Sequence, residues 1–99
     1  MFYCYILYST SLNRFYIGTT LLEPKDRLQR HLEQYYGNQK FTSLAKDWEL
    51  FLDIPCETNI TARKIEEHIK KMKSKNYIQN LKKYPELIDK LRQRFTNGT

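Results

Sequence analysis

Two short β-prone runs open the chain four residues apart, and that spacing leaves an antiparallel hairpin as the simplest structure for its first twenty residues. The first run, residues 2–9 (Phe-Tyr-Cys-Tyr-Ile-Leu-Tyr-Ser), is rich in aromatic and branched side chains that fit a pleated surface. The second, residues 14–19 (Arg-Phe-Tyr-Ile-Gly-Thr), has the same character. Between them lies Thr10-Ser11-Leu12-Asn13, which is polar enough to turn. A hairpin cannot hide both of its faces alone, so the rest of the chain must cover it.

Helical and strand signals follow in turn. Pro24 suits the first turn of a helix, Leu28, Leu32 and Tyr35 make one stripe, and Gly37-Asn38 ends it. Residues 38–46 are polar and read as loop. Residues 48–54 read as a third strand stopped by Pro55. Asn59 or Thr61 is the expected cap of the next helix, with Ile65, Ile69 and Met72 as its apolar stripe. Residues 74–82 continue it or break near Ser74 and Asn76. Tyr84-Pro85 restarts the chain, and Leu87, Ile88, Leu91 and Phe95 mark a last helix. The expected fold class is α+β, a small three-stranded antiparallel sheet flanked by helices in the order β-β-α-β-α-α.

Ninety-nine residues hold one core, so residues 1–95 are read as a single domain and 96–99 as a frayed tail. Charge is uneven. Residues 1–50 carry six Lys or Arg against five acids, whereas 51–99 carry eleven against six. A net charge of +6 biased to one half favours a polyanionic partner, most simply nucleic acid. Cys4 and Cys56 form no CxxC pair and read as free thiols, not as a zinc or disulfide framework. The apolar run 1–9 is too short for a signal segment or a membrane span, and a cytoplasmic protein without a membrane partner is expected.

Two places on the helices can carry chemistry. Arg27 and His31 stand at i and i+4 and share a helix face beside the Leu28–Leu32–Tyr35 stripe. Arginine there can clamp a phosphate and histidine can donate to one, although both also suit a solvated surface. Glu66 falls at the border of the apolar stripe beside Ala62 and Ile69, where a hard cation or a salt bridge to Lys70 or Lys73 can justify a partly buried carboxylate. Glu67 falls on the far side, among Lys64 and Lys71. Arg63, Lys64, Lys70, Lys71, Lys73 and Lys75 make this a basic helix, which can follow a phosphate backbone or simply be solvated. With three glycines and no HExxH, P-loop, dinucleotide and zinc-protease readings fail.

Together these residues resemble the GIY-YIG nuclease superfamily, and more narrowly its small stand-alone bacterial members, which are similar to the incision subunit of nucleotide-excision DNA repair. The resemblance rests on Tyr3-Cys4-Tyr5 and Tyr16-Ile17-Gly18 in the two strands, Arg27 and His31 in the first helix, Trp48-Glu49-Leu50, and Glu66 within residues 62–70. It spans about residues 2–80. It implies a metal-dependent endonuclease that hydrolyses phosphodiester bonds in DNA, with RNA left open, using Mg²⁺ or Mn²⁺. Tyr5 then matches a general base or positioner of water, Tyr16 a contact to the phosphate or nucleophile region, Arg27 the stabiliser of the pentacovalent phosphorus, Glu66 the metal ligand and His31 a supporting residue. Lys70, Lys71, Lys73 and Lys75 are the expected nucleic-acid contacts. The first motif departs from the family pattern, because its glycine and isoleucine are both replaced in Tyr-Cys-Tyr. The stretch from Gly18 to Arg27 is also one residue longer than in several relatives. Asn76 and Asn80 are candidates for the asparagine that many members carry after the glutamate.

Two other readings compete: a non-catalytic nucleic-acid-binding module on the same fold, and a basic protein-interaction domain. The sequence leaves the oligomeric state and the physiological substrate open.

Overall fold

Aromatic and branched residues dominate the first twenty positions, and they form the strands their side chains favour. In the computed structural model, which describes residues 1–21 and 47–97, β1 (Phe2–Ser9) and β2 (Arg14–Thr20) pair antiparallel, with Leu7 opposite Tyr16 and Tyr5 opposite Gly18. The turn places Asn13 at φ 50°, a left-handed conformation that asparagine tolerates better than most residues. The Tyr8 hydroxyl donates to Asn13 Oδ1 at 2.8 Å and helps hold it.

A third strand, β3 (Trp48–Cys56), pairs antiparallel on the other side of β1, giving the order β2-β1-β3. It runs through Pro55 and does not stop before it. The reason is topological: β3 pairs with β1 alone among the described strands, and an edge strand can carry a residue that lacks an N–H. The register slips between Ile6 and Leu7, whose partners are Leu52 and Leu50, so Phe51 bulges and packs edge-on to Phe15 at 5.0 Å.

Three helices follow: α1 (Asn59–Met72), α2 (Lys75–Lys83) and α3 (Pro85–Asn97). Thr58, one residue earlier than expected, caps α1, its Oγ1 accepting from the Thr61 N–H at 3.2 Å. The break before α2 falls at Lys73, at φ 48°, with Ser74 as the next cap. Asn76 lies inside α2. Met72 is exposed rather than part of the apolar stripe, and Thr61 and Ala62 are buried in its place. The last helix extends to Asn97, two residues into the stretch read as a tail. The helix expected after Pro24 lies outside the described residues.

Alternation along β1 creates two apolar layers. Cys4 and Ile6 face one way and meet Ile54, Ile65, Ile69, Leu81 and Leu91. Tyr5 and Leu7 face the other way and join Trp48, with Tyr16 and Leu50 alongside. Each fully buried large side chain in these layers contributes about 1.5–3 kcal/mol. The observed architecture is therefore α+β, as expected.

The hairpin is also tied to the base of β3. Asp47 accepts from Ser9 Oγ at 2.6 Å, from the Ser11 N–H at 2.8 Å and from Ser11 Oγ at 2.9 Å. The Ser9 hydroxyl, followed by the Ser11 N–H, holds its carboxyl below the usual aspartate range. A folded-state pKa below the unfolded one adds stability above the unfolded pKa, and that stability is lost as pH falls through the folded pKa. Asp47→Asn should therefore lower the melting temperature at neutral pH, and the gap to the parent chain should close below about pH 4. A gap independent of pH would show that the carboxylate charge plays no part.

Candidate active site

Gly18 is where the two layers meet. Tyr5 lies opposite it and is 1% exposed. A Cβ built on Gly18 would sit 2.6 Å from the Tyr5 hydroxyl and 2.7 Å from Cζ. The phenol end of Tyr5 thus occupies the space a side chain at position 18 would take, and only glycine permits it. β2 is an edge strand among the described residues, so the bare backbone at Gly18 lets the Tyr5 phenol reach the sheet margin. Tyr16, two residues before on the same face, has its ring centroid 6.3 Å from that of Tyr5 and 6.5 Å from that of Trp48.

From the opposite layer α1 brings Glu66 to the same margin. Its Ile65 and Ile69 are buried, which fixes the helix rotation and leaves Glu66 at the border, its side chain 20% exposed. Thr19, next to Gly18 and pointing to the other face, donates from Oγ1 to Glu66 Oε1 at 2.5 Å. Lys70, one turn on, donates to Oε2 at 2.7 Å. The two oxygens are thus oriented by groups 47 and 4 residues away.

Tyr5, Tyr16, Glu66 and Lys70 line one open cleft of about 390 Å³. The structure therefore brings together three of the five expected catalytic residues, from two strands and one helix. Arg27 and His31 lie outside the described residues. Gly18, Thr19 and Arg63 also line the cleft. Arg63 stands at i−3 from Glu66, a helical spacing that already marks it as a neighbour. Thr19 had no such signal, because its partner is distant in sequence. Glu67 is exposed, as its wheel position implied, yet it reaches the cleft rim as well as the Lys64–Lys71 side.

The expected basic contacts divide. Lys70 is in the cleft, Lys73 and Lys75 line an adjoining groove, and Lys71 faces a different hollow beside His68 and Arg94. Desolvation and the charges of Arg94 and Lys71 push the His68 imidazole below its usual range, and His68 Nε2 lies 3.2 Å from the Tyr77 hydroxyl. Asn80 accepts the Tyr84 N–H through its backbone carbonyl, and neither it nor Asn76 lines the cleft.

Among the described residues no three of His, Cys, Asp and Glu gather as a metal cage. A single half-buried carboxylate in a polar cleft nevertheless fits a hard cation that retains most of its water, as Mg²⁺ does. Lys70 is about half exposed and can swing off Glu66 to admit one. Cys4 and Cys56 do not belong to this chemistry. Both are buried, and burial pushes both thiols above their usual range.

Comparison with known proteins adds one match. A family model described as the GIY-YIG catalytic domain matches residues 1–83 of the 99. No curated protein and no solved structure matches.

Proposed function

Starting from the fact that the chain belongs to the GIY-YIG nuclease superfamily, we propose that it is a metal-dependent endonuclease that hydrolyses phosphodiester bonds in DNA. The observation that carries this is the meeting of Tyr5, Tyr16 and Glu66 in one cleft across the β2 margin.

Each residue then has a role set by its chemistry. Glu66 holds a divalent cation, Mg²⁺ or Mn²⁺, which when bound supplies positive charge to a phosphate oxygen. Thr19 keeps one Glu66 oxygen oriented. Tyr5 orients the attacking water or, as a phenolate, accepts its proton to become the phenol. Tyr16 contacts the phosphate or the attacking water. Arg63 offers a planar guanidinium within the cleft, and Arg27, by its motif position, offsets charge on the pentacovalent phosphorus. Lys70, once released from Glu66, is a further cation for the phosphate.

The test is incubation of the purified chain with linear, nicked, branched and single-stranded DNA in Mg²⁺ or Mn²⁺. Cleavage is expected, and Arg27→Ala should reduce it by about 10²–10³-fold, the scale on which removing one transition-state donor acts. No cleavage of any of these substrates refutes the proposal. The Glu66–Lys70 ion pair is the one observation that favours a second reading, a binding module without catalysis, because it satisfies the carboxylate without a metal. Tight metal-independent DNA binding, unchanged in Glu66→Ala, would select that reading.

A further inference from the structure

A groove of about 350 Å³ adjoins the cleft, and the two share Ile17 and Lys70. Its walls carry Arg14 from the start of β2 and Lys70, Lys73 and Lys75 from the α1–α2 junction. Its floor is apolar, with Phe15 half-buried and Ile69 buried. Among the described residues no acidic one lines it, whereas the cleft holds Glu66 and Glu67. Arg14 from β2, Lys70 from α1, Lys73 from the junction and Lys75 from α2 thus bring positive charge to one hollow, a field that attracts a polyanion.

The walls are held in place. Lys75 Nζ donates to the Asn13 carbonyl at 2.6 Å, which joins the hairpin turn to the start of α2. That bond joins Lys75 to Asn13 across 62 residues of sequence and so sets it near Arg14. Lys73 is the residue at φ 48°, the C-cap position where glycine is the usual choice. A lysine there costs stability, and the side chain it projects lines the groove.

We infer that this groove holds the backbone of the DNA strand on one side of the scissile phosphate. Arg14, Lys73 and Lys75 meet successive phosphates there, and Phe15 offers an apolar surface to a sugar or base. The inference rests on the proposed nuclease reading and adds to it a direction: the strand leaves the cleft over Lys70 toward the hairpin turn, and not toward Lys71. Lys71 and Lys64 lie on the other side of α1, where Glu67 partly offsets them.

The experiment measures binding of the full chain to a fluorescein-labelled single-stranded oligonucleotide in chelator, across a series of salt concentrations. Arg14→Gln combined with Lys73→Gly should weaken binding about tenfold or more and lower the slope of log K against log salt by about 1–1.5, as for two lost phosphate contacts. Lys64→Gln with Lys71→Gln removes the same charge and should change affinity less than about threefold, with the slope preserved. Lys73→Gly alone should raise the melting temperature by about 4–8 °C while weakening binding, which rules out unfolding as the cause. Equal losses in both double variants, an unchanged slope in the first, or no binding by the parent chain would each overturn the inference. Parallel cleavage assays separate the two levels: a chain that cuts nothing but loses affinity through Arg14 and Lys73 keeps the groove and loses the nuclease reading. A chain that cuts DNA with those substitutions at parental affinity loses the groove alone.

Discussion

Glu66→Gln should slow DNA cleavage by at least about 10³-fold while leaving the fold intact, an effect on the scale of losing both the metal and the charge it supplies. The substitution is close to isosteric, so Thr19 can still donate to the remaining carbonyl oxygen. The ion pair to Lys70 is lost, but Lys70 is 53% exposed, and a pair in that setting is worth at most about 1 kcal/mol. Stability and activity therefore separate. Calorimetric titration with Mg²⁺ should show the same split, with heat of binding in the parent chain and none in Glu66→Gln. Cleavage that survives at more than about a tenth of the parental rate would remove Glu66 from the site, since a lost metal ligand cannot cost so little.

The second large effect is expected at a residue with no functional group. Gly18→Ala puts a methyl group where the Tyr5 phenol lies, 2.6 Å from its oxygen. Tyr5 is in the central strand and buried, so it has little room to retreat. Overpacking of this kind costs about 1–3 kcal/mol, or about 4–8 °C of melting temperature per kcal/mol in a domain of this size. Activity should fall further than stability, because the Tyr5 hydroxyl must leave the cleft. A double-mutant cycle isolates the cause. In a Tyr5→Leu background Gly18→Ala should cost little, since the ring is gone. An equal cost in both backgrounds would place the need for glycine in the backbone and not in Tyr5.

These two residues also show what the sequence can disclose. The hairpin was legible because its run lengths and turn leave few alternatives, and Glu66 was separated from Glu67 by helical periodicity alone. The reason for Gly18 was not legible, because it depends on strand register, which sets Tyr5 opposite it. Thr19 was hidden for the same reason, its partner being on another element. Pro55 misled because a proline in a strand sequence reads as a stop, and only the order of the described strands makes β3 an edge. Met72 misled because the chain leaves the helix at Lys73, so the last turn of the stripe faces water. The four lysines formed one basic helix on paper, but Lys70, Lys73 and Lys75 line one groove across the break at Lys73, while Lys71, about 100° round the helix from Lys70, faces another hollow.

The central place of β1 has a consequence for the order in which the molecule assembles. Its pairing with β2 spans a four-residue turn, whereas its pairing with β3 begins between Ser9 and Trp48, 39 positions apart. Closing the longer loop costs about 2 kcal/mol more in chain entropy, so the hairpin is favoured to form first. Tyr5, Gly18 and Tyr16 are then already arranged, while Glu66 arrives only when α1 docks. A partly folded chain would hold the tyrosine half of the cleft without its carboxylate, and hydrolysis would report the final docking event. In a refolding experiment, the near-ultraviolet tyrosine signal should therefore recover before cleavage does.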